Sequence, residues 1–151
     1  MSEDDPHGLR RFLLAQDGIY GTALTELRSG RKRSHWMWFV FPQIEGLGSS
    51  PLAQRYAIGS LAEAEAYLRH PILGPRLVEC AEAVLAVTGR SAHEIFGSPD
   101  DVKLRSSATL FAAACPAGSV FDRLLDRYFA GERDQDGDQV GHDLDGHAEA
   151  L

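Results

Sequence analysis

Signals that start and stop helices follow one another at short intervals along this chain, and they constrain its fold more than any other feature. Ser50-Pro51, Ser60 with Glu63, Ser91 with Glu94, Ser98-Pro99 and Ser119 with Asp122 have the form of helix N-termini. In such caps a hydroxyl accepts an otherwise unpaired backbone N–H, and an acid three residues on can return the bond. Proline at the first helical position loses nothing, because its missing N–H would have no partner there. Gly30, Gly89, Gly97 and Pro116 stand where the helices should stop.

Between these marks apolar residues recur at helical spacing. Leu9, Phe12 and Leu13, with Gln16 on the same face, predict a helix over residues 9–16, broken by Asp17-Gly18. Ile19, Ala23, Leu24 and Leu27 predict a second over 19–29. Further helices are expected at 51–58, 61–69 and 71–88, the last carrying Leu73, Leu77, Cys80, Ala81, Val84 and Leu85 on one side. A short helix should follow Ser91, a long one should run from Ser98 to about Cys115, and Val120, Phe121, Leu124, Leu125, Tyr128 and Phe129 should line a last one. Only Val40-Phe41 hints at a strand. The expected fold class is therefore all-α: a single compact domain of about six to eight short helices in orthogonal or antiparallel packing.

At 151 residues, with 44% apolar and 25% charged side chains, the chain can bury one core. The charge is unevenly spread. Residues 132–151 carry seven acids and one base, and residues 1–5 carry three acids, so the formal charge of −7 leaves residues 6–131 at +2. The expected organisation is a flexible acidic N-terminus at 1–7, a helical domain at 8–131 and a disordered acidic tail at 132–151. No apolar run reaches the ~18–20 residues of a membrane span. The acidic start Met1-Ser2-Glu3-Asp4-Asp5 is unlike an export signal, and Cys80 and Cys115 read as reduced core residues, so a cytoplasmic location is expected.

Residues 28–43 are the chemically dense part. Arg28, Arg31, Lys32 and Arg33 are followed by Ser34, His35, Trp36, Met37, Trp38, Phe39, Val40, Phe41, Pro42 and Gln43. Guanidinium and ammonium groups pair with phosphates, and flat rings stack on bases, so this composition suits an anionic, nucleotide-like ligand. Ser34 could cap a short helix starting at His35 and leave backbone donors for an anion. A second cluster, Lys103, Arg105, Ser106 and Ser107, places Lys103, Ser106 and Ser107 on one helix face. The same residues also fit a plain reading in which the rings are core and the cations a solvated loop.

The stretch Ser29-Gly30-Arg31-Lys32-Arg33-Ser34-His35-Trp36-Met37-Trp38-Phe39 resembles the signature of a bacterial family known as domain-of-unknown-function family 1810. Ala53-Gln54-Arg55-Tyr56-Ala57 with the region after it, and residues 96–107, resemble the same family. The resemblance covers about residues 8–130 and implies a mainly helical fold, with no established catalytic or binding residues. Some members carry the name calpastatin, a calcium-protease inhibitor. Such inhibitors are disordered repeats, whereas this body is apolar, capped and non-repetitive, which argues against that activity.

Other chemistry leaves little trace. There is no phosphate loop, Rossmann fingerprint or nucleophile elbow, and the cysteines lack zinc spacing, so no cofactor or metal is expected. Asp134, Asp136, Asp138 and Asp145 make a partial calcium loop without its glycine, its final Glu or its exit helix. The acidic tail could instead fold over the Arg28–Arg33 stretch. His35, His70 and His93 stand apart, and Glu26, Glu45 or Asp101 could partner His35.

Three roles follow. In the first, Arg31, Lys32, Arg33, Lys103 and Arg105 hold phosphates of a nucleotide or ADP-ribose-like molecule, with Ser34, Gln43 and Ser106 adding hydrogen bonds and Trp36 or Trp38 stacking. If that site turns over, His35 is the acid/base for hydrolysis or transfer, and whether the protein is an enzyme stays open. In the second role the chain is a helical module docking a protein or a second copy. Single-stranded nucleic-acid binding is the third, disfavoured by a body charge of only +2.

Overall fold

Each of the hydroxyl caps at Ser50, Ser60, Ser91 and Ser119 forms its bond in the computed structural model, which describes residues 5–46 and 50–133. The side chains accept from the amides of Ala53, Glu63, Glu94 and Asp122, and the Ser91–Glu94 box is complete in both directions. Among the described residues the chain forms nine helices: α1 (Arg10–Gln16), α2 (Tyr20–Arg28), α3 (Met37–Val40), α4 (Pro51–Arg55), α5 (Leu61–Arg69), α6 (Leu73–Ala86), α7 (Ala92–Phe96), α8 (Asp100–Ala113) and α9 (Val120–Phe129). The all-α class is the observed one, and these helices pack as one compact domain.

Several local expectations change, among them the start of α8, where Pro99 rather than Ser98 is the N-cap and no side chain caps the helix. Val40 belongs to the single turn of α3 rather than to a strand. The extended pairing lies elsewhere, in an isolated parallel bridge between Ile44 and Ile58. The turn at α3 begins after Trp36, not at His35, and no side chain caps it, because the Ser34 hydroxyl is bonded to Glu26.

The core is continuous. α8 packs along α9 and also against α5 and α7, while α6 joins α2, α5 and α9. Phe12, Leu27, Trp36, Ile58, Tyr67, Leu73, Leu104, Phe111 and Leu124 are sealed from solvent. Phe12 meets Tyr67 edge-on at 5.1 Å between ring centroids, and Tyr67 continues to Phe111 at 5.4 Å. Burying side chains of this size contributes roughly 1.5–3 kcal/mol each.

A polar lock ties the N-terminal half together. Arg11 spends all five of its N–H groups on acceptors at 2.8–2.9 Å: the carbonyls of His7, Gly8, Arg55 and Ala57, and the carboxylate of Glu63. Glu63 uses its other oxygen on the Gly59 amide, so the box expected with Ser60 is half formed. Charge-assisted bonds of this kind are among the stronger polar contacts available to a fold.

Cys80 is buried and Cys115 half-buried, both as free thiols. Burial pushes the Cys80 thiol up to about 12. Among the described residues no helix is long and apolar enough to cross a membrane. The partial calcium loop and most of the acidic tail, residues 134–151, lie outside the described residues, as do residues 1–4 and 47–49. The first two residues of the expected tail do contact the domain: Glu132 reaches Arg105 at 3.4 Å and Arg133 reaches Asp122 at 2.8 Å.

Among the described glycines, Gly74 at the joint between α5 and α6 leaves the least room for a side chain. A Cβ on Gly74 would stand 2.0 Å from the Leu68 carbonyl oxygen and 2.8 Å from its carbon. Both are backbone atoms and cannot swing aside. Gly74→Ala should therefore destabilise by about 3 kcal/mol or more, despite alanine's better helix propensity, as read from the urea unfolding midpoint.

Candidate functional site

The loop 29–36 is built around the carboxylate of Glu26, on the last turns of α2. Gly30 turns the chain with φ +78, a conformation that favours glycine. The amides of Arg33 and Ser34 then donate to Glu26 Oε1 at 2.8 and 3.0 Å, the Ser34 hydroxyl donates to Oε2 at 2.6 Å, and the Trp36 indole N–H donates to Oε1 at 2.9 Å. Partial burial pushes this carboxyl up, yet the donors from Ser34, Arg33 and Trp36 outweigh it and bring the pKa to about 2. The backbone donors that the sequence offered to a ligand are thus occupied by an anion of the chain itself.

That wrapping sorts the cation run by direction. Lys32 turns inward: its side chain is 7% exposed, and its ammonium lies 2.8 Å from Asp100 and 4.9 Å from the centre of the Trp36 ring. Its ammonium also donates to the Ser34 carbonyl, and its amide donates to Ile95 at 2.7 Å. Lys103 approaches the same Asp100 carboxylate at 3.5 Å and covers the Trp38 ring at 4.9 Å. Asp100 opens α8, where a carboxylate suits the positive end of the helix dipole. The two basic clusters of the sequence therefore meet, through one shared carboxylate.

The other sequence candidates lie apart. Trp36 is fully buried and Trp38 half-buried. Arg31, Arg33 and His35 are exposed, and among the described residues none of their side chains has a hydrogen-bond partner. Glu26 is fully engaged by its own loop, Asp101 lies 3.3 Å from His93, and neither reaches His35. Gln43 contributes its carbonyl to the Ile58 amide beside the bridge. Arg105 turns toward Glu132, and Ser106 is buried. His70 accepts the amides of Ile72 and Leu73 at the start of α6.

A cleft of about 820 Å³ opens on the outer side of this loop, between the α1–α2 corner and the start of α6. Arg33 is the one ligand-binding candidate of the sequence on its wall, which Glu26 also lines. Arg76, Gln16, Tyr20, Thr22 and Thr25 also line it. Gln16 is buried and holds Arg76: its amide donates to the Phe39 carbonyl at 2.7 Å and to the Tyr67 hydroxyl at 3.2 Å, while its oxygen accepts from Arg76 at 3.1 Å. Arg76 also covers the Tyr20 ring at 4.7 Å. The Tyr20 hydroxyl donates to the Glu79 carboxylate, and burial together with that bond raises its phenol. No side chain caps α2, so the positive end of its dipole borders the cleft.

Two guanidiniums and a helix start thus face one cavity, against the single carboxylate of Asp17, since Glu26 is already paired with its loop. Arg76 and Gln16 were missing from the sequence candidates. The available signal was Gln16 itself, a polar residue in the apolar face of the first helix. Among the described residues no three His, Cys, Asp or Glu side chains are grouped as metal ligands would be.

Comparison with known proteins adds a family and a fold neighbour. A family model described as protein of unknown function (DUF1810) matches residues 6–140. A solved structure, the conserved hypothetical protein Rv1873 from Mycobacterium tuberculosis, is 59% identical and superposes with a TM-score of 0.86, over 88% of this chain and 95% of that one. None of the curated proteins matches the chain.

Two expected outcomes follow from the charge arrangement. Asp100→Ala strands the buried Lys32 ammonium, which should cost about 2–3 kcal/mol by urea unfolding. That is below the ~3–5 kcal/mol of a wholly buried pair, because Lys103 and Asp100 keep some solvent. The depressed Glu26 pKa supplies stability above the usual value of 4.5 and loses it as pH falls toward about 2. Glu26→Gln should flatten that part of the wild-type stability curve and be destabilised near neutral pH, as measured by denaturation across pH.

Proposed function

The chain belongs to the family of proteins of unknown function DUF1810, and we propose that it binds a small molecule bearing phosphate or carboxylate groups in the cleft between Arg33 and Arg76. The observation that carries this reading is the state of the two guanidiniums on the cleft wall. Arg33 has no acceptor among the described residues. Arg76 is fixed by Gln16 but retains donors beyond that single bond. An arginine held in place loses little freedom when it takes an anion bidentately.

The sequence candidates divide into two roles in this reading. Arg33 contacts the ligand, with Arg31 adding long-range attraction from the exposed loop. Lys32, Ser34, Trp36, Trp38, Lys103, Arg105 and Ser106 act as framework, because their polar groups or rings are engaged or covered within the fold. Gln43 serves the bridge through its backbone. A nucleotide or ADP-ribose-like molecule remains within the class, but its charged groups rather than its base supply the affinity. The Tyr20 face is covered by Arg76, and neither tryptophan lines the cleft.

Binding rather than turnover is the role this geometry favours. His35 lies off the cleft wall, and among the described residues no group orients its ring, whereas general acid–base work needs a positioned group within hydrogen-bond reach.

Thermal stabilisation of the full chain by inorganic pyrophosphate, ADP-ribose and ribose tests the reading. Pyrophosphate and ADP-ribose should each give a saturable shift, reaching about 2.7 kcal/mol at a hundredfold excess over Kd. Ribose should give none, and added salt should shrink the shift. Arg33→Ala should abolish it while leaving the helical circular dichroism intact, since that side chain is exposed and has no partner among the described residues. A flat response, or an equal shift in Arg33→Ala, sinks the cleft as a binding site.

A further inference from the structure

A second hollow, of about 300 Å³, lies on the outer face of α1, bounded by Arg10, Leu13, Leu14, Asp17, Ile72 and Arg76. Leu14 is 63% exposed and Ile72 45%, so two large aliphatic side chains stand in water side by side. We propose that this face docks a second copy of the same chain, α1 against α1 about a two-fold axis. The proposal does not rest on a ligand in the cleft, although Asp17 and Arg76 border both hollows.

The argument rests on a palindrome of charge. α1 carries Arg10, then Leu13 and Leu14, then Asp17 at its C-cap, positions that share one helix face. Neither the Arg10 guanidinium nor the Asp17 carboxylate has a partner among the described residues. Seven residues of helix separate them by about 10 Å, too far to pair with each other. Read in the opposite direction, the face presents Asp17, Leu14, Leu13 and Arg10. An antiparallel copy whose axis passes between Leu13 and Leu14 therefore meets every group with its complement. Arg10 of each copy faces the partner's Asp17, and the leucines meet at the centre with Ile72 beside them.

Antiparallel helices also set their dipoles in opposition, which favours the pairing. Closed two-fold contacts are the commonest form of self-association, because one patch serves both sides. A partner of other composition would satisfy the apolar centre equally well, but only a copy of this chain is guaranteed to carry the matching charges in reverse order. Seven residues of helix and one isoleucine make a small patch, so the association is weak.

Sedimentation velocity of the full chain, from about 10 μM to 1 mM at low salt, should show the mean mass rising toward that of a dimer, as a weak interface requires. Leu14→Asp should remain monomeric over that range, with Kd raised about tenfold or more. Arg10→Asp and Asp17→Arg should each weaken association by placing like charges opposite one another. The double variant Arg10→Asp/Asp17→Arg restores complementarity in reverse and should associate again. Circular dichroism keeps loss of fold separate from loss of contact. A wild-type protein that stays monomeric throughout overturns the proposal. So does a dimer indifferent to Leu14→Asp, or a folded double variant no better than the single ones.

Discussion

The Glu26 carboxylate is the point on which the loop 29–36 depends. Its two oxygens collect four donors from three residues within a four-residue stretch, Arg33, Ser34 and Trp36. Without that acceptor the Trp36 indole N–H would be buried unpaired, a loss of about 1–3 kcal/mol for a group out of water. The loop would also lose the bonds that set its course. Everything the cation run does follows from this fixed course, because it decides which side chain enters the domain and which stays outside.

The sorting has an energetic logic. An ammonium as buried as that of Lys32 is costly unless it is paired and hydrogen-bonded, and here it has Asp100, a backbone carbonyl and an aromatic face. Arg33, one residue later, has none of these among the described residues and is exposed beside the cleft. Three adjacent cations in a sequence look equivalent. Their folded environments differ by nearly the whole range from water to protein interior, and that difference separates framework from candidate contact.

What could be read in advance was what depends on neighbours in sequence. The caps at Ser50, Ser60, Ser91 and Ser119 are local bonds over three residues, and each forms. Gly89 and Pro116 fall just beyond helices that end at Ala86 and Ala113. Where a local signal failed, a distant partner had the stronger claim: Glu63 answers Arg11 as well as the backbone of Gly59, and the Ser34 hydroxyl answers Glu26 rather than capping α3. The meeting of Lys32 with Lys103 could not be read, because it depends on how α8 is placed against the loop. Nor could the union of Gln16, Arg33 and Arg76 on one wall, whose members come from three separate elements.

The Arg11 lock has a consequence for how freely this sequence can vary. Four of its five bonds end on main-chain carbonyl oxygens, those of His7, Gly8, Arg55 and Ala57. Every amino acid supplies such an oxygen. The side chains at 7, 55 and 57 are therefore invisible to the contact that holds their backbone, and exchange there leaves it untouched. The tolerance is one-sided. Lysine at position 11 would offer three donors from a single point in place of five from a planar fork, and could not span the same set of oxygens. One side chain that resists exchange thus frees several others, and drift in this corner of the fold should gather around that arginine.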